Sequence, residues 1–171
     1  MEFIYRGRVA WKFGDFVPAD NILGKIGFIE GDPKKTKNYV LTNYDPEFPK
    51  KFRKGDLIIA GRFFGGDRDH GGMRAMKELG VSCVVAESFS RPILRRNIDD
   101  NAFPVLECPG ISKLANKGDE LEVNFKTGEV KNLTTGEVLQ TQPALEVQLE
   151  IIEAGGFIQY LKKKLKEESS N

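Results

Sequence analysis

Gly55-Asp-Leu-Ile-Ile-Ala-Gly61-Arg-Phe-Phe-Gly65-Gly-Asp-Arg-Asp-His70-Gly-Gly72 sets a short apolar run against a charged, glycine-rich turn. Met73-Arg-Ala-Met-Lys-Glu-Leu-Gly80 then has helical spacing with a glycine at the C-cap position. The apolar run of residues 81–86 reads as a second strand. An apolar strand, a glycine-rich turn, a short helix and a second apolar strand read as part of an α/β fold. Within residues 65–72 lie four glycines, two aspartates, an arginine and the only histidine. Ligand-binding loops of such folds sit at the carboxyl ends of buried strands, so this turn is the first candidate for chemistry.

Working outward, residues 3–11 alternate and predict a strand, and residues 12–21 are rich in turn formers. Residues 22–44 are ambiguous. Their Gly27-Phe28-Ile29-Glu30-Gly-Asp-Pro-Lys-Lys-Thr segment reads as an exposed loop, and residues 38–41 fit either a helical turn or a strand. The basic run at residues 50–54 reads as a solvated rim. Ser88 or Ser90 is placed to cap a helix with Pro92 in its first turn, carrying Ile93, Leu94 and Ile98 inward. Lys-Thr-Gly-Glu and Thr-Thr-Gly-Glu turns separate apolar runs between residues 120 and 139 and predict a small β-meander. Residues 143–154 fit a helix or a strand stopped by Gly155-Gly156, and residues 157–166 a lysine-rich helix with a frayed tail at about 167–171.

With 171 residues and 40% hydrophobic content, a single domain over 1–171 is expected. The net charge of +1 gives no global field for nucleic acid or an anionic membrane. No apolar run approaches the ~20 residues needed to cross a bilayer. Cys83 and Cys108 follow neither a CxxC nor a disulfide-rich pattern, and Cys83 reads as core. A reduced, cytoplasmic setting is the expectation.

The order of Phe13-Gly-Asp, Ala19-Asp20, Phe48-Pro, Gly55-Asp-Leu-Ile-Ile-Ala-Gly, Phe64-Gly-Gly, Ala75-Met-Lys and Val84-Val-Ala-Glu-Ser-Phe-Ser-Arg resembles the aconitase family. The likeness is to the separate small subunits of isopropylmalate and homoaconitate dehydratases, the swivel domain. It extends to Ala154-Gly-Gly-Phe-Ile-Gln-Tyr-Leu-Lys-Lys. That resemblance implies an α/β fold, a β/β/α barrel-like swivel domain with flanking helices. It also implies a large partner subunit holding a 4Fe-4S cluster on three cysteines, since two cysteines cannot supply such a cluster here. The implied reaction is reversible dehydration of a hydroxy carboxylic acid. Iron acts on the leaving hydroxyl, and the small subunit supplies the base.

Family members usually carry Phe-Gly-x-Gly-Ser-Ser-Arg-Glu-His, with the second serine as base and the arginine on a substrate carboxylate. The corresponding run here, Phe64-Gly65-Gly66-Asp67-Arg68-Asp69-His70, is about one residue shorter and has no serine. Anchored on Arg-acid-His, the alignment puts Asp67 at the base position; anchored on the following helix, it puts Arg68 there. Asp67, Arg68 and His70 are therefore the catalytic candidates, and Gly65, Gly66 and Asp69 the adjoining substrate-binding ones. His70 has the reference pKa best suited to proton transfer near neutrality. The same run also fits a plainer reading, in which Asp67 and Asp69 cap the helix and Arg68 pairs with one of them.

The family's Thr-Asp is Ala19-Asp20, which keeps the carboxylate and loses the hydroxyl. By ungapped spacing the specificity loop, often Tyr-Leu-Arg-Thr, falls on Gly27-Phe28-Ile29-Glu30, so Ile29 stands where an arginine would read a carboxylate. A substrate lacking that carboxylate, or carrying an apolar group there, follows. Two other functions stay open: a non-catalytic or regulatory swivel-like protein, and a binding module for an organic anion at residues 65–72.

Overall fold

The computed structural model describes residues 2–30, 32–66 and 71–169. Seven strands form one mixed sheet: β1 (Ile4–Lys12), β2 (Leu57–Ala60), β3 (Val84–Ala86), β4 (Val105–Glu107), β5 (Glu120–Asn124), β6 (Glu129–Asn132) and β7 (Val138–Gln140). Their order is β4-β3-β2-β1-β5-β6-β7. The first four strands run parallel and the last three form an antiparallel meander joined to β1. Every residue of β2 and β3 is buried, which is why these strands read as continuous apolar runs rather than as alternation. In β5 and β6 buried and more exposed positions alternate, as expected of a sheet with one wetter face.

β1 joins the two halves. Residues 4–8 pair with β5, while Val9, Trp11 and Lys12 pair with β2, with a register shift between Val9 and Trp11. A bulge of this kind increases local twist. The sheet curls enough for Thr141, just after β7, to donate its hydroxyl to the Glu107 carbonyl of β4 at 2.8 Å. The two edge strands of the linear order thus meet at one corner, which is the barrel-like shape expected.

The helices are α1 (Gly24–Glu30), α2 (Pro33–Thr36), α3 (Phe48–Lys51), α4 (Gly72–Leu79), α5 (Arg91–Asp99), α6 (Ile111–Leu114), α7 (Glu146–Ala154) and α8 (Phe157–Ser169). α4 buries Met73, Ala75 and Met76 and ends at Gly80, whose φ of +104° lets its N–H reach the Lys77 and Met76 carbonyls. α5 carries Ile93 and Ile98 inward, and Pro92 lies in its first turn. Phe64, Phe103 and Phe125 are among the largest fully buried side chains, and Cys83 is core.

Three expectations change. Residues 27–30 are not a loop: they belong to α1, and α2 follows with Asp32 as its cap, accepting from the Lys34 N–H at 2.9 Å. The strand expected at residues 81–86 begins at Val84, because the Val81 N–H still bonds Met76 and the Ser82 N–H bonds Asp56. The last helix, expected over residues 157–166, runs on to Ser169. Residues 38–41 resolve as a single 3-10 turn at Lys37–Tyr39, and residues 143–154 as the helix α7.

Candidate functional site

Because β1 to β4 are parallel, the segments leaving them gather on one edge of the sheet. After β1, Phe13-Gly14-Asp15-Phe16 turns toward the loop after β2. Gly61 has no room for a side chain: a Cβ there would lie 2.3 Å from Asp15 Oδ1. The Asp15 carboxylate accepts the Arg62 backbone N–H at 2.8 Å, and Nε and Nη2 of Arg62 at 2.9 and 2.6 Å. This bidentate pairing holds the Asp15 carboxyl below its ordinary range and raises the guanidinium pKa. Phe16 and Phe63 flank the pair with exposed rings 6.4 Å apart, both at positive φ.

The following residues position the glycines. Phe64 packs against Phe13 and Phe89, with ring centroids 5.2 and 6.0 Å away. The Gly65 N–H bonds the Val17 carbonyl at 2.9 Å, and its own carbonyl accepts from Ala19 at 3.0 Å. Gly65 has φ +104°, and a Cβ there would lie 2.6 Å from Ile93. Gly66, at φ +61°, faces Pro18. On the far side of residues 67–70, a Cβ on Gly72 would lie 2.5 Å from the Ala19 carbonyl. Residue 66 thus lies against Pro18 and residue 72 against the turn Ala19–Ile22 that follows it and carries Asp20.

The loops after β3 and β4 close the edge. Glu87 accepts the N–H groups of Gly110 and Ser112 at 2.6 and 2.8 Å. Burial alone would raise its pKa; these two N–H groups outweigh that and hold it below the ordinary value. Ser88 Oγ accepts the Phe63 N–H at 2.9 Å, and Glu107 accepts the Phe89 N–H at 2.8 Å. Ser90 occupies the N-cap of α5, yet its buried hydroxyl has no hydrogen-bond partner among the described residues and does not cap the helix.

The structure therefore brings Asp20, Gly65 and Gly66 together. Ile29 lies on α1 with its side chain 71% exposed. Asp67, Arg68, Asp69 and His70 lie outside the described residues. Sequence reasoning gave no role to Asp15–Arg62 or Glu87, although both carboxylates stand in the runs that carry the resemblance, and the Asp15–Arg62 pairing becomes visible once β1 and β2 are neighbours.

The chain's own donors do not fit an iron–sulfur cluster. Burial pushes the Cys83 thiol up to about 12, and burial with the nearby Glu87 charge pushes Cys108 up to about 11. Among the described residues no group of three or more His, Cys, Asp or Glu could hold a metal ion.

No family model matches the chain. It is 49% identical over 169 residues to the isopropylmalate/citramalate isomerase small subunit of Methanocaldococcus jannaschii, covering 98% of this chain and 99% of that one. It is 43% identical to the 3-isopropylmalate dehydratase small subunit of Pyrobaculum calidifontis, covering 94% and 99%. With small subunit 1 of the Methanopyrus kandleri enzyme it shares 39% identity over 95% of both chains. A crystal structure of a Methanocaldococcus jannaschii 3-isopropylmalate dehydratase chain superposes with a TM-score of 0.85 over 98% of both chains, at 29% identity.

Proposed function

The chain belongs to the 3-isopropylmalate dehydratase small subunits, partners in a heteromeric hydro-lyase, and from that membership we propose that it completes an active site whose remainder lies on a large subunit. The observation that carries this reading is the 49% identity running the full length of a named small subunit. The gathering of Asp20, Gly65 and Gly66 at the strand ends supports it.

In this reading the glycine backbone and Asp20 lie along the substrate, Arg68 pairs with a substrate carboxylate, and Asp67 or His70 moves the proton alpha to it, with Asp69 adjoining. The serine of the family pattern is absent, so the proton falls to one of these two groups. Ile29 in place of a carboxylate-reading arginine favours a hydroxy acid with an apolar group at that position. The 4Fe-4S cluster belongs to the large subunit in this proposal, because the thiols here are buried and protonated. The enzyme acts in the cytoplasm on a small hydroxy acid, with neither nucleic acid nor a membrane as partner. Among the described residues no helix is long and apolar enough to cross a membrane.

The test uses the assembled heteromer. Replacing Asp67 or His70 by Ala is expected to lower turnover by at least about 100-fold for the group that moves the proton, the usual scale of general acid–base catalysis, with Tm unchanged. Full turnover in both variants would remove Asp67 and His70 from proton transfer and favour a base from elsewhere in the heteromer.

A further inference from the structure

On the flank of β1, where the strand passes from β5 to β2, a cavity of about 460 Å³ opens beside α3. It shares no lining residue with the strand-end loops of the candidate site. Its apolar wall is Val9, Ala10, Phe48 and Phe52. Its polar lining is predominantly cationic, with Arg8, Lys51 and Lys117 against Asp45.

The three cations are not equivalent. Arg8 is already neutralised, since its Nη2 lies 2.8 Å from the buried carboxylate of Asp56. Lys51 has a looser partner in Asp45 at 3.7 Å. The Lys117 ammonium stands 4.3 Å from the Trp11 ring centroid and makes no ion pair with a described residue. An apolar cavity of ligand size lined by one cation that no described carboxylate neutralises is complementary to an anion carrying an apolar body.

We propose that this cavity binds an organic monocarboxylate, its ring-sized apolar body against Phe48 and Phe52 and its carboxylate on Lys117. The claim is independent of the dehydratase reading, because its readout is binding rather than turnover. Trp11 is the only tryptophan in the chain and contacts both Lys117 and Phe48, so its emission reports on the site.

The experiment titrates the full chain with cyclohexylacetate, following Trp11 emission and the heat of binding together. Saturation in both signals is expected. Acetate, which lacks the body, and cyclohexanemethanol, which lacks the charge, should each bind at least about ten-fold more weakly. Lys117→Ala should weaken cyclohexylacetate by a similar factor, and Lys117→Arg should largely restore it. An emission change and heat that both fail to saturate in the wild-type chain would overturn the proposal. So would equal binding of the neutral alcohol, or a Lys117→Ala affinity within about two-fold of wild type.

Discussion

Asp15, Arg62 and Glu87 show how individual side chains shape the strand-end edge. Asp15 and Glu87 both have depressed pKa values, Asp15 through its hydrogen bonds with Arg62, and Glu87 because the burial that would raise it is outweighed by its hydrogen bonds with Gly110 and Ser112. A group whose folded pKa lies below its unfolded one contributes stability above the unfolded value and loses it as pH falls through the folded value. For Glu87 that loss begins below its ordinary value of 4.5. Glu87→Gln removes the titration, so the Tm of the variant should fall less steeply than wild type below that pH. Parallel Tm-against-pH curves would show that the Gly110 and Ser112 contacts carry no proton-linked stability. Ile29 is the second residue with a defined consequence. Its exposure on α1 leaves room for a longer side chain, and Ile29→Arg should raise the relative kcat/KM for a substrate bearing an extra carboxylate by about ten-fold. An unchanged preference would detach this position from substrate reading.

At the scale of elements, the unit from β2 to α4 depends on its glycines for two different reasons. Gly65→Ala meets both a positive φ and Ile93, with a Cβ 2.6 Å from that side chain. Overpacking of this kind typically costs about 1–3 kcal/mol, and the lowered Tm should come with lost turnover because the loop must shift. Gly71 has φ +102° and nothing within 4 Å of a Cβ among the described residues, so Gly71→Ala should carry mainly the backbone term, about 1–2 kcal/mol. Equal effects of the two variants on Tm and turnover would mean that close packing on α5 does not position the loop.

These same elements mark where sequence reading works. β2, α4 with Gly80, and the meander were legible because apolar period and turn glycine agree locally. α1 was hidden because Gly24 and Gly27 lower helix propensity, and the reason for Gly27 is tertiary: a Cβ there would lie 2.8 Å from Tyr39. The Asp15–Arg62 pair spans 47 positions and exists only through the β1–β2 pairing. At residues 67–70 the family pattern names the candidate residues, and the structure supplies the anchored glycines on both sides.

For the whole molecule, the sheet curls until its two edges meet near Thr141 and Glu107, and the loops of β1 to β4 collect on one face. That face holds carboxylates, an arginine and bare glycine backbone, while the two thiols are buried in the body of the domain. The proposed reading gives this face the binding and orienting of a small acid, and among the described residues no group of side chains could hold a metal ion. This is the division of labour expected of a small subunit. The most direct measurement is anaerobic co-expression with a large dehydratase subunit, followed by an ultraviolet assay for alkene formation across 2- and 3-hydroxy acids. The account predicts that the two chains co-purify and that turnover requires both. A complex that forms but dehydrates none of these acids would contradict it and identify the chain as a non-catalytic member of its family.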